Sequence, residues 1–443
     1  MRSAARLLKR RITGFLFSEG PFRVAGRVLG PSVMARVCVR FIEPHEGAGG
    51  PSCLCINRDV FGKDIHQLRA RTTRAWPAVN QHLLYLCQQA WLPRAFFRQT
   101  AFQADLPGLA PRAVERAERF AQAFVRRARA RHGVAAILTA NVDYAPDEFV
   151  RRAAQRDGMP FLVLHKEHAN TDYGHRAFAA SLTGYRFHGD AVAVFGPRTK
   201  TILVDEGVCP PEQIVVTGPP RFDEWVDLPA DAPRDLAVLF AFSRDDQEGS
   251  ASFPDVLAAF VAAAEACGAD GSRFVVKCRD PYEEAVVTAM AARYGARVSV
   301  TSATPVPELL HRAFAAVGFC SLAVTEALLS RATVISPRFG HCQNAIDAQL
   351  DDTEPGVRDA VRFPPSAREL TDAVVQAAGA ELSAEALRAR ERVVHDFFCA
   401  PGPTYSALVD AFVRDGIAGR RDGAVAGVPA AAGAPGAGAV VSR

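Results

Sequence analysis

Lysine is scarce: Lys9, Lys63, Lys166, Lys200 and Lys277 are the only five among 52 basic residues. The excess of arginine beside many alanines reads as a coding bias, so a lone arginine is weak evidence for a phosphate site. Charge of one sign is also lacking. The 52 basic residues face 48 acidic ones, a net +4, which excludes the strongly basic, clustered surface of a nucleic-acid module. The ten cysteines form no CxxC pair, and Cys53-x-Cys55 alone is not a metal knuckle. Several stand inside apolar runs, where a reduced thiol behaves as a small core residue, so a reducing compartment is expected. No apolar run approaches the roughly 18 residues of a membrane span. The N-terminal MRSAARLLKRRITGFLF is basic then apolar, but the apolar part is short and no small-residue cleavage site follows. It reads as a basic first helix. The sharper alternative for this otherwise cytoplasmic chain is peripheral attachment to an anionic membrane surface.

What is present is enough for a large core: 443 residues, 49% apolar, a length that suggests two or three domains. Val134 to Leu138, Phe161 to Leu164, Ala191 to Phe195 and Ile214 to Thr217 read as buried strands separated by helical patterns. Asp227 to Asp235 is Pro- and Asp-rich and reads as a linker. The rhythm then restarts with strands at Leu236 to Phe242, Phe274 to Lys277, Val298 to Val300, Ala315 to Phe319 and Thr333 to Ser336, and two helices ending at Phe398 close it. The expectation is an α/β protein with two Rossmann-like parallel sheets facing across a cleft: residues 1–228, residues 229–418, and a disordered Gly/Ala/Pro tail over 419–443. Residues before about 130 are less legible and mostly helical, with Cys53 to Asn57 a possible strand.

Open parallel sheets bind ligands beyond the carboxyl ends of their strands. In the second half, those ends carry Ser243 and Arg244, then Lys277 and Arg279, then Ser321, Thr325 and Glu326 at the start of a helix. Each alone is an ordinary cap or surface cation. Together, on successive strand ends, they point to a phosphate site. Gly218 and Arg221, in the turn closing the first half, are candidates on the same side, or parts of a structural turn. His165 and Glu167 leave the strand FLVL at the presumed cleft edge as a candidate base pair, with Asp143 a second carboxylate or a loop cap. His165, His168, His175 and His188 lie close together in sequence, but no ligand spacing such as HExxH appears, so no metal is expected.

Four phrases carry a resemblance. They are AVAVFGPRTKTILVDEGVCPPEQIVVTGPPRFDEW (Ala191 to Trp225), VLHKEHAN (Val163 to Asn170), VVKCRDP (Val275 to Pro281) and FCSLAVTEALLSRATVISP (Phe319 to Pro337). They resemble GT-B enzymes of surface and capsular polysaccharide biosynthesis, relatives of the CDP-glycerol glycerophosphotransferases and Kdo-type transferases. The likeness covers Ala135 to Pro337. It implies a nucleotide-activated sugar donor as substrate, with no separate cofactor. It places base and ribose near Glu326, phosphates near Lys277, Ser321, Thr325 and Ser243-Arg244, and a glycan or lipid-linked acceptor on the first half. Cys278-Arg279 stands where those families have Pro-His, so no histidine role carries over. The leading expectation is a glycosyltransferase. The alternatives are a nucleotide-sugar 2-epimerase of the same architecture and a non-catalytic polysaccharide-assembly protein.

Overall fold

The computed structural model describes residues 19–57, 61–98, 108–166, 171–228, 232–244, 247, 249–269, 272–343, 349–399 and 404–421. The first module runs α1 (Glu19–Arg40), β1 (Ser52–Asn57), α2 (Gly62–Arg71), β2 (Ala78–Asn80), α3 (Gln81–Gln88), α4 (Pro111–His132), β3 (Val134–Thr139), α5 (Glu148–Arg156), β4 (Phe161–His165), α6 (Asp172–Leu182), β5 (Ala191–Val194), α7 (Pro197–Asp205) and β6 (Ile214–Val216). The second runs β7 (Leu236–Phe240), α8 (Phe253–Ala266), β8 (Phe274–Lys277), α9 (Pro281–Ala291), β9 (Ser299–Thr301), α10 (Val306–His311), β10 (Ala313–Val317), α11 (Leu322–Glu326), β11 (Thr333–Ile335), α12 (Pro355–Ala360), α13 (Ala367–Ala377) and α14 (Ala384–Phe398). A last helix, α15, spans Tyr405–Arg421.

Every named strand pairing is parallel. The first sheet has the order β2-β1-β3-β4-β5-β6 and the second β11-β10-β7-β8-β9. Strands such as FLVLH and LAVLF are buried at every residue. Helices cover both faces, which is why these strands read as unbroken apolar runs rather than as alternation. Proline opens several crossover helices, at Pro111, Pro197 and Pro281, where a missing N–H costs nothing. The strand order reverses between β1 and β3 and between β7 and β10, and ligands collect at such reversals.

The two-sheet expectation holds. So does the possible strand at Cys53 to Asn57: it is β1, inside the sheet, paired to β2 on one side and β3 on the other, and only β2 was not foreseen in that mostly helical region. The chain end also differs from the 229–418 reading. Helix α15 leaves the second module and packs on α2 and on β3, β4 and β5 of the first. It remains helical through Arg421, so the expected tail cannot begin at Gly419; residues 422–443 lie outside the described residues.

The two modules share one apolar core. A single cluster joins Leu138 and Leu164 of the first sheet, Val238 and Phe240 of the second, and Phe397, Phe398, Val409 and Val413 of the last two helices. Gly218, with φ of 72°, lets the exit from β6 pass against this junction. A Cβ there would lie 2.1 Å from the Tyr405 ring and 2.8 Å from the Phe398 carbonyl oxygen. Asp223, buried in the next turn, accepts the backbone N–H groups of Tyr405 and Ser406, both at 2.8 Å. This carboxylate caps the entry to α15 from 182 residues away in sequence. Asp223→Ala should therefore lower unfolding stability by about 1–3 kcal/mol, the cost of leaving buried donors unpaired. A shift of the urea midpoint at unchanged m value is the measurement; an unmoved midpoint would show that α15 docks without this cap.

Candidate functional site

The site grows from the first turn of α2. Lys63 is exposed there and Asp64 is wholly buried. The Asp64 carboxylate accepts the backbone N–H of Arg221 at 3.0 Å, and Arg221 Nε at 3.0 and 3.1 Å to its two oxygens; the Arg221 Nη2 adds a further contact. The guanidinium also lies 5.7 Å from the centre of the Phe195 ring. This pair holds the turn over residues 220–227 against α2. The next residues of that turn reach out: Glu224 accepts from Gln67 Nε2 at 3.3 Å, and Trp225 donates its indole N–H to Glu326 Oε1 across the module boundary at 3.1 Å.

The second module supplies the strand ends. Lys277 is the last residue of β8, and its ammonium donates to the carbonyls of Cys278 at 2.9 Å and Ser302 at 2.7 Å. An ammonium has three N–H donors, so one remains for a ligand. Burial pushes the Lys277 pKa down, and the positive charge of Lys63 pushes it down further. Lys63, from the first module, is thus near enough for its charge to be felt at Lys277. The nearby carboxylates are engaged elsewhere. Glu283 accepts from Ser243 N and Oγ at 3.3 Å each and from Arg279 N at 2.7 Å, tying the β7 and β8 exit loops together. Glu284 is held by the backbone N–H and hydroxyl of Ser302. Arg244 pairs with Asp280 at 3.0 Å, and Arg279 is exposed.

Glu326 ends α11 and is buried. Burial dominates its ionisation, raising its pKa to about 7 from 4.5, against the opposing pull of Lys63, Trp225 and Arg221. A carboxyl that is part protonated near neutrality can both donate and accept hydrogen bonds. Ser321 and Thr325 are used within their own helix. Ser321 Oγ caps it by accepting from Ala323 N at 3.3 Å, and the fully buried Thr325 donates to Leu322 O at 2.8 Å.

Glu326 lies within electrostatic reach of Arg221 and Lys63, and Lys277 within reach of Lys63; Ser243 and Arg244 follow β7, and Arg279 follows β8. Gly218 belongs to the hinge against Tyr405 and Phe398. On the acceptor side, His165 is fully buried at the end of β4, stacked on Phe178 with ring centres 5.6 Å apart. It was expected at an open cleft edge. Asp143 is half-buried near Tyr185, whose hydroxyl donates to Val142 O at 2.6 Å. Glu167 and His168, and the side chain of His175, lie outside the described residues. Sequence reasoning missed Lys63, Asp64, Trp225 and Glu283. A signal existed for Lys63: in a chain so poor in lysine, a lysine six residues beyond a strand end stands out.

The raised pKa of Glu326 has a testable sign. The unfolded chain loses this proton near pH 4.5, while the folded chain keeps it to about 7. Its contribution to stability is therefore full below pH 4.5, declines as pH rises to about 7, and is flat above that. Glu326→Gln should gain stability relative to the parent across that window, by up to about 2–3 kcal/mol. Urea unfolding of both proteins from about pH 4 to about pH 8 is the check; parallel pH profiles would contradict the assignment.

No family model matches the chain, and no curated protein matches it. Several solved structures are similar in arrangement. Sucrose-phosphate synthase from Thermosynechococcus elongatus is 17% identical with a TM-score of 0.42, over 86% of this chain and 97% of that one. A putative UDP-N-acetylglucosamine 2-epimerase from Listeria monocytogenes is 11% identical with a TM-score of 0.48, over 84% and 96%. LpCGTa, solved in complex with UDP, is 13% identical with a TM-score of 0.47, over 90% and 96%. Likeness at this level leaves the function to the residues themselves.

Proposed function

We propose that the chain is a transferase that takes a group, most simply a sugar, from a nucleoside-diphosphate donor held between its two sheets. The acceptor is a glycan or a lipid-linked glycan. One observation supports this above the others: Lys277, at the end of β8, spends two of its three N–H donors on the carbonyls of Cys278 and Ser302 and keeps one, with the positive charge of Lys63 within electrostatic reach. Two ammonium groups brought together are costly unless an anion lies between them. A diphosphate has the charge and the length to be that anion, and its stabilisation as a leaving group is what glycosyl transfer requires. Glu326, with Oε1 engaged by Trp225, keeps Oε2 for a ribose hydroxyl. Arg279 and Arg244 would stand at the rim.

Acceptor activation needs a base on the first module; with His165 buried against Phe178, Glu167 is the carboxylate proposed for it. General acid–base assistance is worth about 10²–10⁴-fold in rate. Glu167→Gln is therefore expected to cut turnover by about that factor with nucleotide affinity nearly unchanged. Full turnover in this variant would move the role to Asp143.

The donor site is tested first by thermal shift with nucleoside mono- and diphosphates. A binder at a hundredfold excess over Kd stabilises by about 2.7 kcal/mol. Titration calorimetry on Lys277→Ala should then show affinity lost by about 1.5–3 kcal/mol, the range for a hydrogen bond to a charged group. Lys63→Ala should weaken binding too, because the site draws on both modules. No nucleotide in the panel shifting the protein would sink the reading. Turnover of a nucleotide sugar with no acceptor present would identify an isomerase instead. Binding without turnover of any kind would identify an assembly partner.

A further inference from the structure

Among the described residues, exposed apolar side chains concentrate on α1, well outside the site just described. Five of the nine large apolar side chains that are exposed among the described residues fall in one short stretch, Val24, Val28, Leu29, Val33 and Phe41. Val28 is 79% exposed and Val24 63%, one helical turn apart. Helix α1 packs against α4 and α3, and its two halves meet at Gly30, where φ is 76°. Exposed apolar side chains gathered on both halves of a water-facing helix call for a partner.

Charge indicates which partner. After Glu19, α1 has no acidic residue, and Arg23, Arg27, Arg36 and Arg40 punctuate it. Where α1 crosses the end of α4, a hollow is lined by Arg36, Arg127 and Arg131 with Val39 and Ala130. Among the described residues, none of these three arginines is paired to a carboxylate, whereas their neighbour Arg126 is bound to Asp157 at 3.2 Å. The sequence running into α1 adds Arg2, Arg6, Lys9, Arg10 and Arg11 and, through Ser18, no acid at all. Apolar side chains interleaved with unpaired arginines complement a surface that is anionic outside and hydrocarbon beneath.

We infer that the face formed by α1 and the end of α4 docks the first module on an anionic lipid bilayer, with Val24, Val28 and Val33 entering the interface and Arg36, Arg127 and Arg131 meeting lipid phosphates. Such docking would bring a lipid-linked acceptor to the module assigned to it, though the surface stands independently of that assignment.

Co-sedimentation of the full chain with vesicles tests this. The protein should pellet with equimolar phosphatidylcholine and phosphatidylglycerol, stay in solution with phosphatidylcholine alone, and be released as salt rises. The double variants Val24→Asp/Val28→Asp and Arg36→Glu/Arg131→Glu change exposed positions, so both should fold with the parental melting temperature. Each should lower partition by about tenfold or more. Arg368→Glu, the same charge reversal on the second module, should change partition little. A wild-type chain that ignores anionic vesicles overturns the inference. So do α1 variants that pellet like the parent, since binding would then belong to the preceding residues, and so does an Arg368→Glu loss equal to theirs. Val24→Asp/Val28→Asp that converts a wild-type dimer to a monomer, with no vesicle binding by either, would assign the face to a second copy of the chain instead.

Discussion

The Asp64–Arg221 ion pair is the constraint on which the site rests. A carboxylate with no solvent exposure must be neutralised where it stands, and Arg221 does this with both its backbone and its guanidinium. Because Asp64 follows Lys63 in α2, and Arg221 precedes Glu224 and Trp225 in the exit turn, the pair sets the positions of both parts of the first module that reach toward the second. Removing either partner would leave a buried charge uncompensated, a loss of several kcal/mol by the usual scale, about 3–5. Orientation of Lys63 and Trp225 would go with it.

The second module answers with a different economy of polar groups. Its loops are braced by carboxylates that each collect several donors: Glu283 between the β7 and β8 exits, Glu284 on Ser302, Asp280 on α9 and Arg244. Held in this way, the backbone of the strand ends is pre-set before any ligand arrives, which is the condition for electrostatic groups to act without reorganising. Lys277 and Glu326, a cation and a carboxyl, both lie there in surroundings that work against their charged forms. Their pKa values are displaced towards each other, a pattern that marks functional sites more often than structural ones.

The parts of this architecture that are written in local pattern were legible. FVV, FLVL and AVAV are short, wholly apolar and bounded by turns, and each lies in a strand. What local pattern cannot say is which surface a helix will choose. Nothing in the amphipathic repeat of Tyr405–Arg421 names the first sheet as its partner; that choice depends on Asp223, Gly218 and Phe398, which meet it only in three dimensions. The same limit explains the site residues. Ser321 and Thr325 look like ligand-binding hydroxyls and are also what a helix start needs for itself, and here the helix uses them. Glu326 was legible as a candidate, but its burial depends on Trp225, about a hundred residues earlier in the chain. Lys63 went unread although the strand before it, Cys53 to Asn57, was a candidate, because nothing local says that the start of α2 turns toward the second module.

The return of α15 makes the first module discontinuous along the gene. Its sheet is encoded before the linker, but Val409, Phe412, Val413 and Ile417, which cover one side of that sheet, are encoded at the far end. During synthesis the first sheet therefore emerges long before its last covering helix exists, and must wait uncovered while the whole second module is made. Cutting the coding sequence at the linker would give two incomplete products: one lacking a layer, the other trailing an amphipathic helix with nothing to lie on. The natural units of this protein are thus not two beads on a string. They are one domain inserted into another, and any attempt to exchange, shuffle or express the halves separately has to move the last helix with the first half.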